Sequence, residues 1–209
     1  MKTVNIGPCS IDIHDRAGIV MSGGADSSVL LFIVMKYSQS PVNVYTLASR
    51  EKFFSSAQIS TNVIKKCMEL TGKSIDQHNV IYADKQNNDL VFKHPWRDLK
   101  SKDISVVYTG LTKLPPIEVY SKFKNPTEDS LFEERNPDVT YNEYSGNKKI
   151  YMPFYNLNKK QIHEIYQNFD LEHSLFPLTR SCESLVQNTG HCGTCWWCEE
   201  RQWGFGKLE

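Results

Sequence analysis

The sequence lacks an excess of charge of either sign, because 24 lysine and arginine residues balance 24 aspartate and glutamate residues in a chain of 209. Proteins that wrap nucleic acid usually carry a basic surplus, so no stable nucleic-acid complex is expected. No apolar run approaches the roughly 18 residues of a membrane span, and the first residues lack the apolar stretch of a signal peptide. We therefore expect a soluble, cytoplasmic protein without membrane association, folded as a single domain over residues 1–209.

Cysteine is sparse outside one C-terminal subregion, residues 180–205. Of the six cysteines, two stand alone at Cys9 and Cys67, and the other four are Cys182, Cys192, Cys195 and Cys198. A disulfide framework would be spread over a small secreted chain, whereas clustering favours a metal. Cysteines three positions apart can present thiolates to one ion, and four of them form a closed tetrahedral set. The pattern predicts a structural Zn²⁺ knuckle, with an iron–sulfur cluster and disulfides or free thiols as alternatives.

Three other side chains in this subregion have expected roles. Trp196 and Trp197 lie inside the cysteine run and are expected to pack the knuckle onto the body of the protein. His191 could compete as a metal ligand, although four cysteines already complete the shell.

Apolar runs and helical patterns alternate along the first half of the chain. Strands are predicted at residues 17–21, 42–47, 80–82 and 104–108, and helices at 27–37 and 55–70. The first of these helices is apolar nearly all round and is therefore expected to be enclosed in the core. This alternation predicts an α/β fold with a doubly wound parallel sheet. Another helix should begin after Asn158, with Gln161 three residues on, close to a capping box. Residues 113–149 are rich in proline, charge and aromatics, and are predicted to form an ordered lid or a dimer contact.

A glycine-rich run follows the first of these predicted strands and opens the first helix. It reads Ser22, Gly23, Gly24, Ala25, Asp26, Ser27 and Ser28. Adjacent glycines let backbone N–H groups approach an anion, and the helix N-terminus adds donors and a positive dipole end. The serine hydroxyls can donate to phosphate oxygens, and an aspartate beside a phosphate indicates a bridging Mg²⁺. A tight strand-to-helix turn with an acidic capping residue is the alternative interpretation.

The run lacks the Gly-Lys-Ser/Thr ending of a Walker loop. It resembles instead the Ser-Gly-Gly-x-Asp-Ser signature of PP-loop ATP-pyrophosphatases. The resemblance implies that ATP is cleaved between the α and β phosphates while an acid or amide oxygen is adenylated. Asp26 and Ser27 are the candidate catalytic residues of the loop.

The loop and the cysteine cluster together resemble the 7-cyano-7-deazaguanine synthase family. The family tail is reproduced by Ser181-Cys182, Cys192-Gly193, Cys195, Cys198, Arg201 and Gly204-Phe205, and a preceding element by Pro153 and Leu157-Asn158-Lys159. The resemblance implies that a heterocyclic acid, 7-carboxy-7-deazaguanine, is converted with ATP and ammonia to the amide and then the nitrile. It also implies a homodimer. Lys159 and Arg201 are candidates for contacting phosphate or substrate, with a solvated or salt-bridged role as the alternative for each.

The middle of the chain departs from that family. A Gly-Gln-Arg-His run is expected after the second strand, where this chain has Ala48-Ser49-Arg50-Glu51. An Arg-Asn pair and a Tyr-Pro-Asp-Cys-Arg segment are absent. Two other functions therefore stay open: a tRNA-modifying enzyme that installs sulfur, and a nucleotide-binding module without turnover.

Overall fold

The structure is a computed structural model and describes residues 1–49, 55–83, 90–123, 135, 149–182 and 190–209. Its strands are β1 (Lys2–Ile6), β2 (Cys9–Ile13), β3 (Ala17–Val20), β4 (Asn43–Ser49), β5 (Gln77–Ala83), β6 (Val106–Tyr108) and β7 (Ile150–Tyr151). Its helices are α1 (Ala25–Tyr37), α2 (Ser56–Thr71), α3 (Leu90–Lys100), α4 (Ile117–Tyr120), α5 (Lys159–Asn168) and α6 (Trp196–Phe205), with a 3-10 turn at Phe176–Leu178.

Five parallel strands form the main sheet in the order β5-β4-β3-β6-β7. The chain runs outward from β3 to β4 and β5, and then crosses back to β6 and β7 on the other side of β3. A crevice opens at the carboxyl ends of the strands where this direction reverses, and that is where such sheets bind ligands. The predicted α/β fold with a doubly wound parallel sheet is confirmed.

Alternate side chains of the strands enter two separate apolar layers, as the period of a strand requires. Val44 and Val106 pack into the larger core, whereas their neighbours Tyr45 and Val107 pack into a smaller cluster beside α3. The sheet is therefore covered on both faces. α1 lies within the larger core and is buried from Val29 to Met35, so the prediction of an apolar, enclosed first helix is confirmed.

All four predicted strands have different bounds in the structure, because pairing, and not apolar character, sets them. β3 ends one residue earlier than predicted, and β4 starts one residue later and ends two residues later. β5 starts at Gln77, three residues before the predicted strand, because seven residue pairs from Asn43↔Gln77 to Ser49↔Ala83 join it to β4. The residues added are polar and therefore break the apolar pattern. β6 begins at Val106, two residues later than predicted.

An N-terminal hairpin, β1 with β2, is absent from the sequence prediction. Its inward side chains reach the main core, and two tyrosine hydroxyls fasten it to the sheet. Tyr108 Oη donates to the Asp12 carbonyl at 2.6 Å and accepts from the His14 N–H at 2.9 Å. Tyr151 Oη accepts from the Asp12 N–H at 3.2 Å. Helices α3 and α6 and the two-residue strand β7 were also not predicted.

The segment 113–149 is described only in part. Residues 113–123 include the short helix α4, and Phe123 lies edge-on to Trp196 with ring centroids 5.4 Å apart. Phe132, Tyr141 and Tyr144 lie outside the described residues, so the lid or dimer contact stays a prediction. Among the described helices, none combines the length and apolar character needed to cross a membrane.

Helix α5 begins at the predicted capping box, and its first residue is the candidate site residue Lys159. Asn158 Oδ1 accepts from the N–H groups of Lys160 and Gln161, and Gln161 Oε1 accepts from the Asn158 N–H at 3.1 Å. α6 crosses α5 at Gly204, where an added Cβ would collide with the Cβ of Lys159 and lie 3.0 Å from its carbonyl carbon. The absence of a side chain at residue 204 thus sets the position of Lys159.

Gly204→Ala is expected to destabilise the protein, because the new methyl group meets backbone that cannot move without separating α5 from α6. Overpacking of this kind typically costs about 1–3 kcal/mol. The free energy of unfolding, measured in urea, checks the prediction. Gln202→Ala on the exposed side of the same helix is the matched control and should change stability by less than about 0.5 kcal/mol. Equal stability of the two variants would contradict the close crossing.

Candidate functional site

A cleft of about 240 Å³ lies between the loop after β3, the start of α2 and the C-terminal third of the chain. Its lining is Ser22, Gly24 and Asp26 from the loop, Ser55, Ser56 and Ile59 from α2, and Lys159, Arg180, Ser181, Cys182, Trp197 and Glu200. Most of these side chains are polar or charged. The two motifs singled out in the sequence therefore face one cleft, although more than 150 residues separate them.

The loop holds its shape through its own hydroxyl groups and one left-handed glycine. Gly23 has φ +83°, and a Cβ there would lie 2.7 Å from Cγ2 of Ile59. Ser22 Oγ accepts from the Gly24 N–H at 3.2 Å and lies 3.1 Å from Ser27 Oγ. Gly24 caps α1 without a side-chain hydrogen bond, so within the described part of the chain the first N–H groups of the helix have no capping side chain and suit an anion.

Not every predicted loop residue faces the cleft. Ser22, Gly24 and Asp26 line it, but Ser28 is fully buried and its hydroxyl donates to the Gly24 carbonyl at 2.7 Å. This bond stabilises the loop from within, and donation from the Ser28 hydroxyl to phosphate stays a prediction. The Gly23 carbonyl accepts from the Arg180 N–H at 2.9 Å, which joins the loop to the segment that carries Cys182.

Asp26 and Lys159 meet at the centre of the cleft. Lys159 Nζ contacts Oδ2 of Asp26 and lies 3.8 Å from Oε2 of Glu200. The other carboxylate oxygen, Asp26 Oδ1, is buried and has no hydrogen-bond partner among the described residues. A buried carboxylate oxygen without a partner is unusual and fits a cation ligand, for which Mg²⁺ prefers such oxygens. The structure thus brings the predicted Lys159 to the predicted loop.

Glu200 and Arg135 form a buried ion pair that the sequence analysis missed. Their side chains are 1% and 2% exposed, and Arg135 Nη2 contacts Glu200 Oε1 while Nη1 lies 3.4 Å from Oε2. Arg135 also donates to the carbonyls of Thr112 and Lys113 at 2.7 and 3.1 Å. Glu200 occupies an open position of the family tail, but it is four residues before Gly204, on the same helix face. That spacing was the available signal; nothing in the sequence marks Arg135.

Arg201 is not among the residues that line the cleft, and its contact with phosphate or substrate stays a prediction. Its side chain is buried, and its donors meet Leu208 O at 2.7 Å, Thr179 Oγ1 at 2.9 Å, and Ser181 Oγ and Phe176 O at 3.2 Å. Burial lowers the pKa of Arg201 to about 10, so it stays protonated at neutral pH. Arg201 therefore supports the segment that presents Ser181 and Cys182 to the cleft.

The four clustered cysteines converge. All four sulfur atoms lie within 4.8 Å of one another, with 3.9 Å between Cys192 and Cys198 and 4.0 Å between Cys195 and Cys182. A tetrahedral site with metal–sulfur bonds of about 2.3 Å spaces its sulfurs at roughly 3.8 Å, so the set fits a metal. None of the four is joined by a disulfide in the structure, and the sulfur–sulfur distances favour a metal site over disulfides. Burial raises the pKa of Cys192, but hydrogen bonds from Thr194 and Cys195 outweigh it and lower that pKa overall.

Two tryptophans and one histidine lie next to the cysteine cluster, and their surroundings differ. Trp196 is buried against Phe123, as predicted. Trp197 packs edge-on against Trp196, with ring centroids 5.2 Å apart, and it also lines the cleft. Among the described residues, the group that could hold a metal consists of the four cysteines and does not include His191. The His191 Nε2 accepts a hydrogen bond from the Ser181 N–H at 3.4 Å. Burial and the charges of Arg201 and Arg180 lower the pKa of His191 to about 4.

Arg201→Lys is expected to destabilise the protein by about 2–4 kcal/mol, because a lysine cannot reach all four buried acceptors and leaves several unpaired. Chemical denaturation measures this change. Arg16→Lys, at an exposed position with a single bond to the Lys102 carbonyl, is the matched control and should shift stability by under about 0.5 kcal/mol. If the Arg201 variant retains wild-type stability, the buried bracing role is wrong.

Comparison with known proteins gives one family match. Residues 127–209, less than half of the chain, match the family described as "Queuosine biosynthesis protein QueC". A search of curated proteins gives no match.

Among solved structures, the chain is similar to NMN synthetase from Francisella tularensis, with 15% identity and a TM-score of 0.47, over 92% of this chain and 78% of that one. It is also similar to phosphoadenylyl-sulfate reductase from Candida auris, determined as a phosphate complex. That match has 14% identity and a TM-score of 0.39, over 73% of this chain and 71% of that one. Both TM-scores are below 0.5. The assignment of the fold therefore rests on the order and direction of the strands in the main sheet. The resemblance to the 7-cyano-7-deazaguanine synthase family is shown over residues 127–209, which carry Lys159 and the four cysteines.

Proposed function

We propose that the protein is an ATP-dependent synthase that adenylates the carboxylate of a planar heterocyclic acid and joins it to ammonia. One observation carries the proposal: the loop of Ser22–Ser27, the Asp26–Lys159 contact and the edge of the cysteine cluster line a single cleft. The match to a queuosine-biosynthesis family makes 7-carboxy-7-deazaguanine the first acid to test.

The loop side of the cleft suits the phosphates of ATP. The N–H groups at the start of α1 and the Ser22 hydroxyl are donors for phosphate oxygens, and Lys159 adds a positive charge beside them. Asp26 is the residue that would hold Mg²⁺, through Oδ1, the oxygen that has no hydrogen-bond partner among the residues that the structure describes. Bound Mg²⁺ would neutralise phosphate charge. The chain's own contribution is to position the reactants and to exclude water.

The opposite side of the cleft suits the acceptor. The half-buried Trp197 offers an aromatic surface for a planar ring, and the positive charge of Arg180 and the Ser181 hydroxyl would attract its carboxylate. In the proposed reaction a carboxylate oxygen attacks the α phosphorus and pyrophosphate leaves. Ammonia then displaces AMP to give the amide. A second adenylation, at the amide oxygen, followed by loss of AMP and two protons, would give the nitrile.

The cysteine cluster is proposed to hold Zn²⁺ in a structural role. Four sulfurs at tetrahedral spacing leave no open coordination position, so the ion would not bind substrate. It would fix α6, and through α6 the position of Trp197 and Glu200. We also propose that the protein forms a homodimer through residues 113–149.

Incubation with ATP, Mg²⁺, ammonium and 7-carboxy-7-deazaguanine is expected to yield the amide or nitrile together with AMP and pyrophosphate, detected by mass spectrometry. Asp26→Asn should reduce turnover at least about 100-fold, because it removes the charge that would hold the cation. Asp15→Asn, an exposed aspartate that accepts from the Gln39 N–H, is the matched control and should keep wild-type turnover. Release of ADP and phosphate, or equal turnover in both variants, would reject the proposed reaction.

Protein purified without added metal is expected to contain about one zinc per chain, measured by elemental analysis. Cys195→Ser should lose the metal and lower the unfolding temperature, because the other three thiols then surround an incomplete site. Cys9→Ser, outside the cluster, should keep both. Iron in place of zinc would contradict the assignment, and an unchanged metal content in Cys195→Ser would exclude the cluster as the binding site.

A further inference from the structure

Four charged side chains form a continuous buried row, which we call the charge chain: Asp26, Lys159, Glu200 and Arg135. Lys159 contacts Asp26 on one side and lies 3.8 Å from Glu200 on the other, and Glu200 contacts Arg135. None of the four side chains is more than 17% exposed. Their charges alternate, so each cation has a carboxylate on at least one side.

Arg135 holds Glu200 in place, whereas Lys159 lies between two carboxylates, those of Asp26 and Glu200. Arg135 is fixed by the carbonyls of Thr112 and Lys113 and contacts Oε1 of Glu200. Glu200 Oε2 faces Lys159 at 3.8 Å and is 3.4 Å from Arg135 Nη1. This oxygen is therefore oriented toward the lysine without being in close contact with it. Asp26 Oδ2 holds the lysine in the described arrangement.

A divalent cation at Asp26 would conflict with the ammonium group of Lys159 already there. Two cations on one carboxylate repel each other, and the repulsion is stronger in a buried site. A displaced lysine in a buried position also needs another negative group, because an unpaired buried charge is strongly destabilising. Glu200 is the nearest second carboxylate among the described ion pairs of Lys159.

We propose that Glu200, fixed by Arg135, is a positioning residue that receives Lys159 when Mg²⁺ and ATP bind at Asp26. The inference rests on the proposed ATP-binding function of the cleft. Lys159 leaves Asp26 free for the cation, pairs with Glu200, and stays beside the phosphates of the loop. Arg135 is a positioning residue one step further away, because it acts only through Glu200.

Calorimetric binding of α,β-methylene-ATP tests the proposal without turnover. The quantity compared is the cation benefit, defined as the Kd measured in EDTA divided by the Kd measured in Mg²⁺. Glu200→Gln should reduce the cation benefit about tenfold, since coupled residues in one ion-pair network interact by energies of this order. In a Lys159→Gln background, where no lysine has to be displaced, Glu200→Gln should change it less than about twofold.

Two further variants separate the proposal from a purely structural role. Arg135→Gln keeps the Glu200 carboxylate for the lysine but no longer fixes it, so the cation benefit should fall by less than in Glu200→Gln, even if stability falls. If Glu200→Gln does not fold because Arg135 is left unpaired, Arg135→Gln combined with Glu200→Gln replaces the pair by two neutral amides. That double variant, made with and without the additional Lys159→Gln substitution, is then compared in the same way.

The outcomes distinguish this inference from the proposed function. If Glu200→Gln lowers the cation benefit equally with and without Lys159, the negative charge of Glu200 acts on the cation directly and not through Lys159. That result would overturn the inference. An unchanged benefit in Glu200→Gln would do the same. If the wild-type protein does not bind the nucleotide under either condition, the proposed function itself fails and the inference fails with it.

Discussion

The contact between Lys159 and Asp26 is the constraint on which the rest of the site depends. It joins residues 133 positions apart, and it exists because α6 crosses α5 at Gly204 closely enough to hold Lys159 against the loop after β3. A doubly wound sheet alone provides the loop and the crevice, but the lysine comes from outside the sheet. The C-terminal third therefore contributes an essential part of the cleft, the side chain of Lys159.

The cysteine cluster contributes to this arrangement through helix α6, which begins within it. The helix carries a half-buried tryptophan toward the cleft, Glu200 toward Lys159, and Arg201 toward the segment that presents Ser181 and Cys182. A rigid set of four thiolates at one end of a ten-residue helix can fix all of these at once. This would account for the position of the proposed structural metal site close to a polar cleft.

Local sequence signals predicted much of the fold and part of the site. The glycine-rich run, the buried first helix, the capping box at Asn158 and the cysteine spacing depend on residues near each other in the chain, and the structure agrees with each. The Arg135–Glu200 pair spans 65 residues, and the polar start of β5 is fixed by pairing with β4. The direction of Arg201 is set by acceptors in a neighbouring loop. Such features depend on tertiary packing, which a pattern of residue types does not encode.

We propose that the loop and the C-terminal third form one nucleotide site around Lys159. A crystal structure with α,β-methylene-ATP and Mg²⁺ would show where the nucleotide binds. We expect phosphates against the loop of Ser22–Ser27, the cation at Asp26, and the ammonium group of Lys159 no longer in contact with that carboxylate. A nucleotide bound away from this loop, with the Lys159–Asp26 contact intact, would contradict it.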